Sequence, residues 1–127
     1  FSNFSTMNRH ARYAFYGSLR RGMSNYLPLA RGLEFQRETQ LPGFRLYALE
    51  SWPYAVRTGN PKDTITVEIF RVSDPAVEKA IHELELSVGY YYDEVMWEGQ
   101  DIGIYLYRQA GPETLVEGGD WVKFFRS

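Results

Sequence analysis

Between Thr64 and Leu84 the chain changes its periodicity once, and that change limits the folds open to it. Thr64–Val72 reads Thr-Ile-Thr-Val-Glu-Ile-Phe-Arg-Val, a β-branched run that suits a pleated strand. Asp74-Pro75 then opens a helix. Asp74, or Ser73 beside it, can cap the free amides, and Pro75 fits the first helical position, where its missing N–H costs nothing. Val77, Ala80, Ile81 and Leu84 follow at i, i+3, i+4 and i+7, which makes one apolar stripe. Most other patterned segments read as strands: residues 12–16, 33–41, 44–49, 55–57, 90–97 and 102–108, the last two joined by a hairpin-like Glu98-Gly99-Gln100-Asp101. Residues 23–32 leave room for a short second helix, which Pro28 would interrupt early. The spacing predicts an α+β fold, a small mixed and strongly curled β-sheet or barrel with one main helix.

A length of 127 residues bounds this to a single domain, 1–127, with residues 1–11 read as a loose N-terminal extension. Residues 1–6 have no charged and apolar leader pattern, and Met7 is a candidate natural start. Asn3-Phe4-Ser5 spells a glycosylation acceptor, a motif short enough to occur by chance. With no cysteine there is no disulfide framework, thiolate metal cage or cysteine nucleophile. Fourteen Lys+Arg against sixteen Asp+Glu give a net charge of −2, so nothing draws the chain to nucleic acid or an anionic membrane. No apolar run approaches the ~20 residues of a membrane helix, and a cytoplasmic protein is expected. The two histidines, His10 and His82, have no acidic cluster at metal-site spacing, so no metal is expected. The aromatic share of 17% favours sheet, and leaves base stacking as one route to macromolecular contact, against the charge balance.

The segment Gly17-x4-Gly22-Met23-Ser24 falls one residue short of a phosphate loop, because Met23 stands where the lysine must be. What remains is a strand that ends at Tyr16 and turns through Gly17-Ser18-Leu19. Such a turn is either plain connection or a concavity of backbone N–H groups able to hold a carboxylate. Glu85 lies about 40° round the helix from Ile81, at the edge of the apolar stripe, with Glu78 on the same flank. There it is either a solvated helix-end residue or a sheltered acid with a raised pKa. Glu83, about 200° from Ile81, faces water. His82 suits the surface near a helix C-terminus. Ser18 lacks a nucleophile elbow. Arg20-Arg21 either steers an acidic small molecule or is simply solvated, and Tyr90-Tyr91-Tyr92 alternate between core and the opposite face of a strand.

Taken in order, these pieces resemble a known family. Tyr16-Gly17-Ser18-Leu19-Arg20-Arg21-Gly22, with Asn25 after it, is similar to the signature Tyr-Gly-[Ser/Thr]-Leu-[Lys/Arg]-x-Gly of the γ-glutamylcyclotransferase-like proteins, which include the γ-glutamylamine cyclotransferases and AIG2-like proteins. Leu41-Pro42-Gly43-Phe44-Arg45-Leu46-Tyr47, Pro53-Tyr54-Ala55-Val56, the strand Val67-Glu68-Ile69-Phe70-Arg71-Val72 with the later Glu85, and Gly119-Asp120-Trp121 continue the match. Two departures stand out. The family's helix typically ends Leu-Asp-x-x-Glu-Gly, where this chain has Ile81-His82-Glu83-Leu84-Glu85-Leu86, so His82 and Leu86 replace aspartate and glycine. An arginine often found after the next strand's tyrosine is missing, with Asp93 nearby.

The resemblance implies a cofactor-independent cyclotransferase acting on a small-molecule γ-glutamyl amide. The substrate's own α-amino group attacks the γ-carbonyl, releasing 5-oxoproline and a free amine. Glu85 is then the general acid/base, and Tyr16, Gly17, Ser18, Leu19, Arg20 and Tyr91 contact the substrate. The alternative on the same fold is an inactive module that binds a small carboxylate.

Overall fold

A computed structural model describes residue 8 and residues 10–126 of the protein. Eight strands among the described residues form two sheets. Strands β1 (Arg12–Phe15), β2 (Leu33–Pro42), β5 (Thr64–Val72), β6 (Tyr91–Trp97) and β7 (Gln100–Leu106) make a five-stranded sheet in the order β2-β5-β1-β7-β6. Strands β3 (Phe44–Leu49), β4 (Trp52–Arg57) and β8 (Thr114–Leu115) make a smaller one, β4-β3-β8. The larger sheet is mixed, since β1 runs antiparallel to β5 and parallel to β7. The fold is α+β with one main helix, as the spacing predicts, and the sheets stay open rather than closing into a barrel.

That main helix, α1 (Pro75–Ser87), starts as expected: the Asp74 carboxylate accepts from the Ala76 amide at 2.9 Å, with Pro75 in the first turn. Its buried face differs from the expected stripe. Ile81 is the centre, Glu78 is buried beside it, and Ala80 faces out. Glu78 is tolerated because the Tyr13 hydroxyl on β1 donates to it at 2.5 Å. The helix ends in a Schellman pattern. Gly89, at φ +100, lets the Tyr90 amide reach back to the Glu85 carbonyl at 3.1 Å and the Gly89 amide to the Leu86 carbonyl at 3.2 Å. Gly89 therefore stops the helix in place of the glycine missing at position 86, and the Leu86 side chain points outward.

Other expectations shift in detail. Residues 27–32 form a 3₁₀ turn with Pro28 at its start. Strand β4 begins at Trp52, three residues before the expected extended piece, and β2 carries a bulge between Phe35 and Arg37 that breaks its alternation. The connection after β6 is a two-residue turn, Glu98 at φ 49 and Gly99 at φ 81, matching the twist of a tight hairpin. Beyond β8 lies a second helix, α2 (Trp121–Arg126). Of the N-terminal stretch, residues 1–7 and 9, including Met7 and Asn3-Phe4-Ser5, lie outside the described residues. Asn8 is buried, and its side chain bonds the backbone of Arg12.

Candidate active site

The turn after β1, the start of β4, the end of α1 and helix α2 enclose a cavity of about 480 Å³. From the turn come Tyr16, Gly17, Ser18 and Leu19; from β4, Trp52 and Pro53; from the helix end, Leu84, Glu85 and Val88; from α2, Phe125. Tyr90 and Tyr105 complete the wall beside Glu85. The turn is stiff. The Gly17 carbonyl accepts from the Arg20 amide at 3.0 Å, the Ser18 carbonyl from the amides of Asn25 and Tyr26 at 3.0 and 3.1 Å, and the Asn25 side chain donates to the Ser18 hydroxyl at 2.8 Å. The carbonyls of Gly17 and Ser18 are thereby occupied, while the amides of Gly17, Ser18 and Leu19 find no acceptor among the described residues. A lining segment with free N–H groups is what a carboxylate or an oxyanion requires. Gly17 is there because of space, not torsion. A β-carbon on it would press on the Pro53 ring, and its φ is an ordinary one.

Glu85 is the one acidic or basic side chain among the described residues of the wall. Burial raises its pKa from 4.5 to about 7. The charge of Glu85 acts on four tyrosines, Tyr16, Tyr90, Tyr105 and Tyr107, and with burial as the larger cause their pKa values all rise. None of their hydroxyls is bonded to Glu85. The Tyr16 hydroxyl donates to the Tyr105 carbonyl at 2.6 Å, Tyr90 to the Pro53 carbonyl, Tyr107 to the Val88 carbonyl at 2.9 Å, and Tyr105 meets His82 Nδ1 at 3.1 Å. The carboxyl thus stands in a low-polarity wall with no hydrogen bond to another described residue, and opens to the cavity. A carboxyl so placed can accept or give a proton near neutral pH.

A family model for "Gamma-glutamyl cyclotransferase, AIG2-like" matches residues 13–123. The chain belongs to the gamma-glutamyl cyclotransferase, AIG2-like family. Solved structures in the same fold include an uncharacterised protein of Pyrococcus horikoshii, 27% identical over 90% of this chain and 92% of that one, with a TM-score of 0.75. Protein YtfP of Escherichia coli is 26% identical, covering 89% and 97%, with a TM-score of 0.67. A uropathogenic E. coli protein, c4763, shares the fold at 21% identity, covering 90% and 94%, with a TM-score of 0.73. No functionally curated protein matches the chain in sequence.

Within this cyclotransferase-family chain the cavity gathers Tyr16, Gly17, Ser18, Leu19 and Glu85, five of the seven residues expected at the site. Arg20 and Tyr91 do not join them. Arg20 turns away from the cavity and is buried. It bonds Glu68 on β5 through Nε at 2.8 Å and Asp120, just before α2, through Nη1 at 2.8 Å. Burial opposes its charge, but these two carboxylates outweigh the penalty and hold its pKa above the usual value. Arg21 adds its backbone amide and Nε to Glu68 at 2.9 and 3.1 Å. Arg20 therefore ties the glycine turn to the central sheet and α2 and stands outside the cavity wall. Tyr91 pairs with Leu106 on β7 and lies under the Arg108 guanidinium, while its neighbour Tyr90 faces the cavity.

The departures from the family pattern find partners too. His82 is packed between Tyr92 and Tyr105, and burial lowers its pKa, so it is neither the solvated residue expected nor a wall of the cavity. Asp93 takes up Arg57 of β4 at 3.1 Å. Sequence reasoning did not single out Trp52, Tyr105 or Phe125, which sit on three separate elements; no local motif marks them. No group of three or more His, Cys, Asp or Glu among the described residues is placed to hold a metal, and no helix there is long and apolar enough to cross a membrane.

Proposed function

We propose that this chain is a cyclotransferase that converts a γ-glutamyl amide into 5-oxoproline and a free amine, with Glu85 as general acid/base. One observation supports it above the others: an ionisable carboxyl with no hydrogen bond to another described residue shares a cavity with the amides of the Gly17–Ser18–Leu19 turn, which find no acceptor among the described residues. Because no arginine or lysine stands among the described wall residues, the substrate's α-carboxylate and its developing oxyanion are served by neutral donors, chiefly those amides.

The chemistry needs little else. Nucleophile and carbonyl belong to one molecule, so holding the folded-back conformer supplies most of the rate gain. Glu85 takes one proton from the α-ammonium. The freed nitrogen bonds the γ-carbon, and a second proton leaves that nitrogen as the lactam forms. Glu85 returns a proton to the leaving nitrogen as the old C–N bond breaks, and the amine takes up the other from solvent. Charge and atoms balance, and no redox partner or enzyme nucleophile enters.

The test is 5-oxoproline release from a panel of γ-glutamyl amides by the parent and by Glu85→Gln. The reading expects turnover by the parent and a loss of at least a hundredfold in the variant, with binding kept. Equal rates in both proteins would overturn the role of Glu85. Binding without turnover by the parent would leave a carboxylate-binding module.

A further inference from the structure

The mouth of the cavity carries an unusual concentration of exposed apolar surface. Trp52, Val88 and Phe125 are 36%, 40% and 51% exposed, and all three border the cavity from different elements: β4, the turn after α1, and α2. Leu84, the residue before Glu85, adds to the apolar wall. The exposed polar residues of the wall, Ser24 and Ser51, are neutral. Exposed apolar residues scattered singly need no explanation, but a group converging on one opening marks a ligand surface.

That surface lies on the same cavity as the turn and Glu85, so a substrate whose glutamyl half engages those two must lay its other half against the remaining wall. A carboxylate or ammonium there would lose water against Trp52, Leu84 and Phe125, and the one charged group among the described wall residues, Glu85, would repel the carboxylate and is itself engaged by the glutamyl half, which makes either costly. An aromatic or branched aliphatic group there gains by burial instead. We infer that the amine half of the substrate is uncharged and apolar, aromatic or branched aliphatic next to the scissile amide. This rests on the cyclotransferase reading above and specifies its substrate class.

Helix α2 is what makes the mouth specific. The Phe125 ring packs at a tilt of 37° against Trp121, whose side chain is buried, and Asp120 at the head of the helix is bound by Arg20. Phe125 is therefore carried by a helix anchored to the same arginine that anchors the glycine turn.

Affinity and turnover are measured separately. Isothermal titration of Glu85→Gln with γ-glutamyl phenethylamide, γ-glutamylglycine and γ-glutamyl-ε-lysine should give a Kd for the phenethylamide at least tenfold below the other two. The preference should shrink about fivefold or more in Phe125→Ser, and likewise in Trp52→Ser should the first variant fold poorly. Equal affinities, a reversed order, or a preference unmoved by either substitution overturns the inference. Release of 5-oxoproline by the parent decides the underlying reading independently. Preferential binding of the phenethylamide with no 5-oxoproline from any compound sinks the cyclotransferase and keeps the apolar subsite. Similar affinities with 5-oxoproline from all three do the reverse, and absence of binding sinks both.

Discussion

Gly17 and Pro53 touch so closely that a β-carbon on the glycine would stand 2.7 Å from the proline Cδ and 2.8 Å from its Cγ. The ring has little room to retreat, since the Pro53 carbonyl accepts the Tyr90 hydroxyl and Pro53 pairs with Ala48 across the small sheet. Gly17→Ala is expected to lower stability by about 1–3 kcal/mol through overpacking and to raise KM for any γ-glutamyl substrate. Thermal melts and steady-state kinetics check it. An alanine variant that melts and turns over like the parent would mean the turn and β4 slide past each other freely.

The carboxyl of Glu85 gives the reaction its pH dependence. As a base it works ionised, and burial places its pKa at about 7. In the free enzyme, kcat/KM should rise about tenfold per pH unit below that value and level off above it. A profile flat from pH 5 to 8 in the parent would remove Glu85 from the role of base.

The same shift bears on stability with the opposite benefit. The folded protein keeps the Glu85 proton up to about pH 7, whereas an unfolded glutamate releases it near 4.5, so folding stability falls as pH rises through that window. Above it the ionised carboxylate destabilises the fold by up to about 3 kcal/mol. Glu85→Gln should therefore match the parent near pH 4 and exceed it in urea denaturation at pH 8. A variant equal or weaker at pH 8 would show that the carboxylate is well solvated in the cavity.

Arg20 is expected to matter for folding and only through it for catalysis. Its side chain and that of Glu68 are each 4% exposed, so Arg20→Ala leaves a buried carboxylate with only Arg21 beside it. A loss of about 3–5 kcal/mol is expected, read from denaturation midpoints at neutral pH. Arg20→Lys should recover only part of it, because an ammonium cannot fork between Glu68 and Asp120 as the guanidinium does. Unchanged denaturation midpoints in Arg20→Ala would show that the cluster adds nothing to the fold.

Local signals in the sequence located what local physics determines. The β-branched run Thr64–Val72 and the Asp74-Pro75 helix start depend on neighbours within a few residues and are where the pattern puts them, and the hairpin turn falls inside the expected connection, shortened to Glu98-Gly99. Strand β4 was harder to see, because Pro53 argues against a strand; it is tolerated since β4 is the edge of the small sheet. At the site, Glu85 was legible from helical angle and from family resemblance. The choice between Tyr90 and Tyr91 was not. Gly89 with positive φ sets where the strand begins, and a one-residue slip swaps the two faces. That Arg20 lies outside the cavity wall was not legible for another reason. Its partners Glu68 and Asp120 lie 48 and 100 positions away, and no local pattern forecasts an ion pair over such distances.

Strand β1, only four residues long, sits inside the large sheet between two strands that are synthesised much later. Tyr13 pairs with Phe70 on one side and with Gly103 on the other. A ribosome-bound chain ending before Gly103 therefore has an unsatisfied edge where its first strand should be covered, and the Tyr16 hydroxyl has no Tyr105 carbonyl to hold. Assembly must wait until β7 has emerged, in the slow regime of topologies dominated by distant pairings, and until then the emerging edge is exposed to chaperones and to other nascent chains.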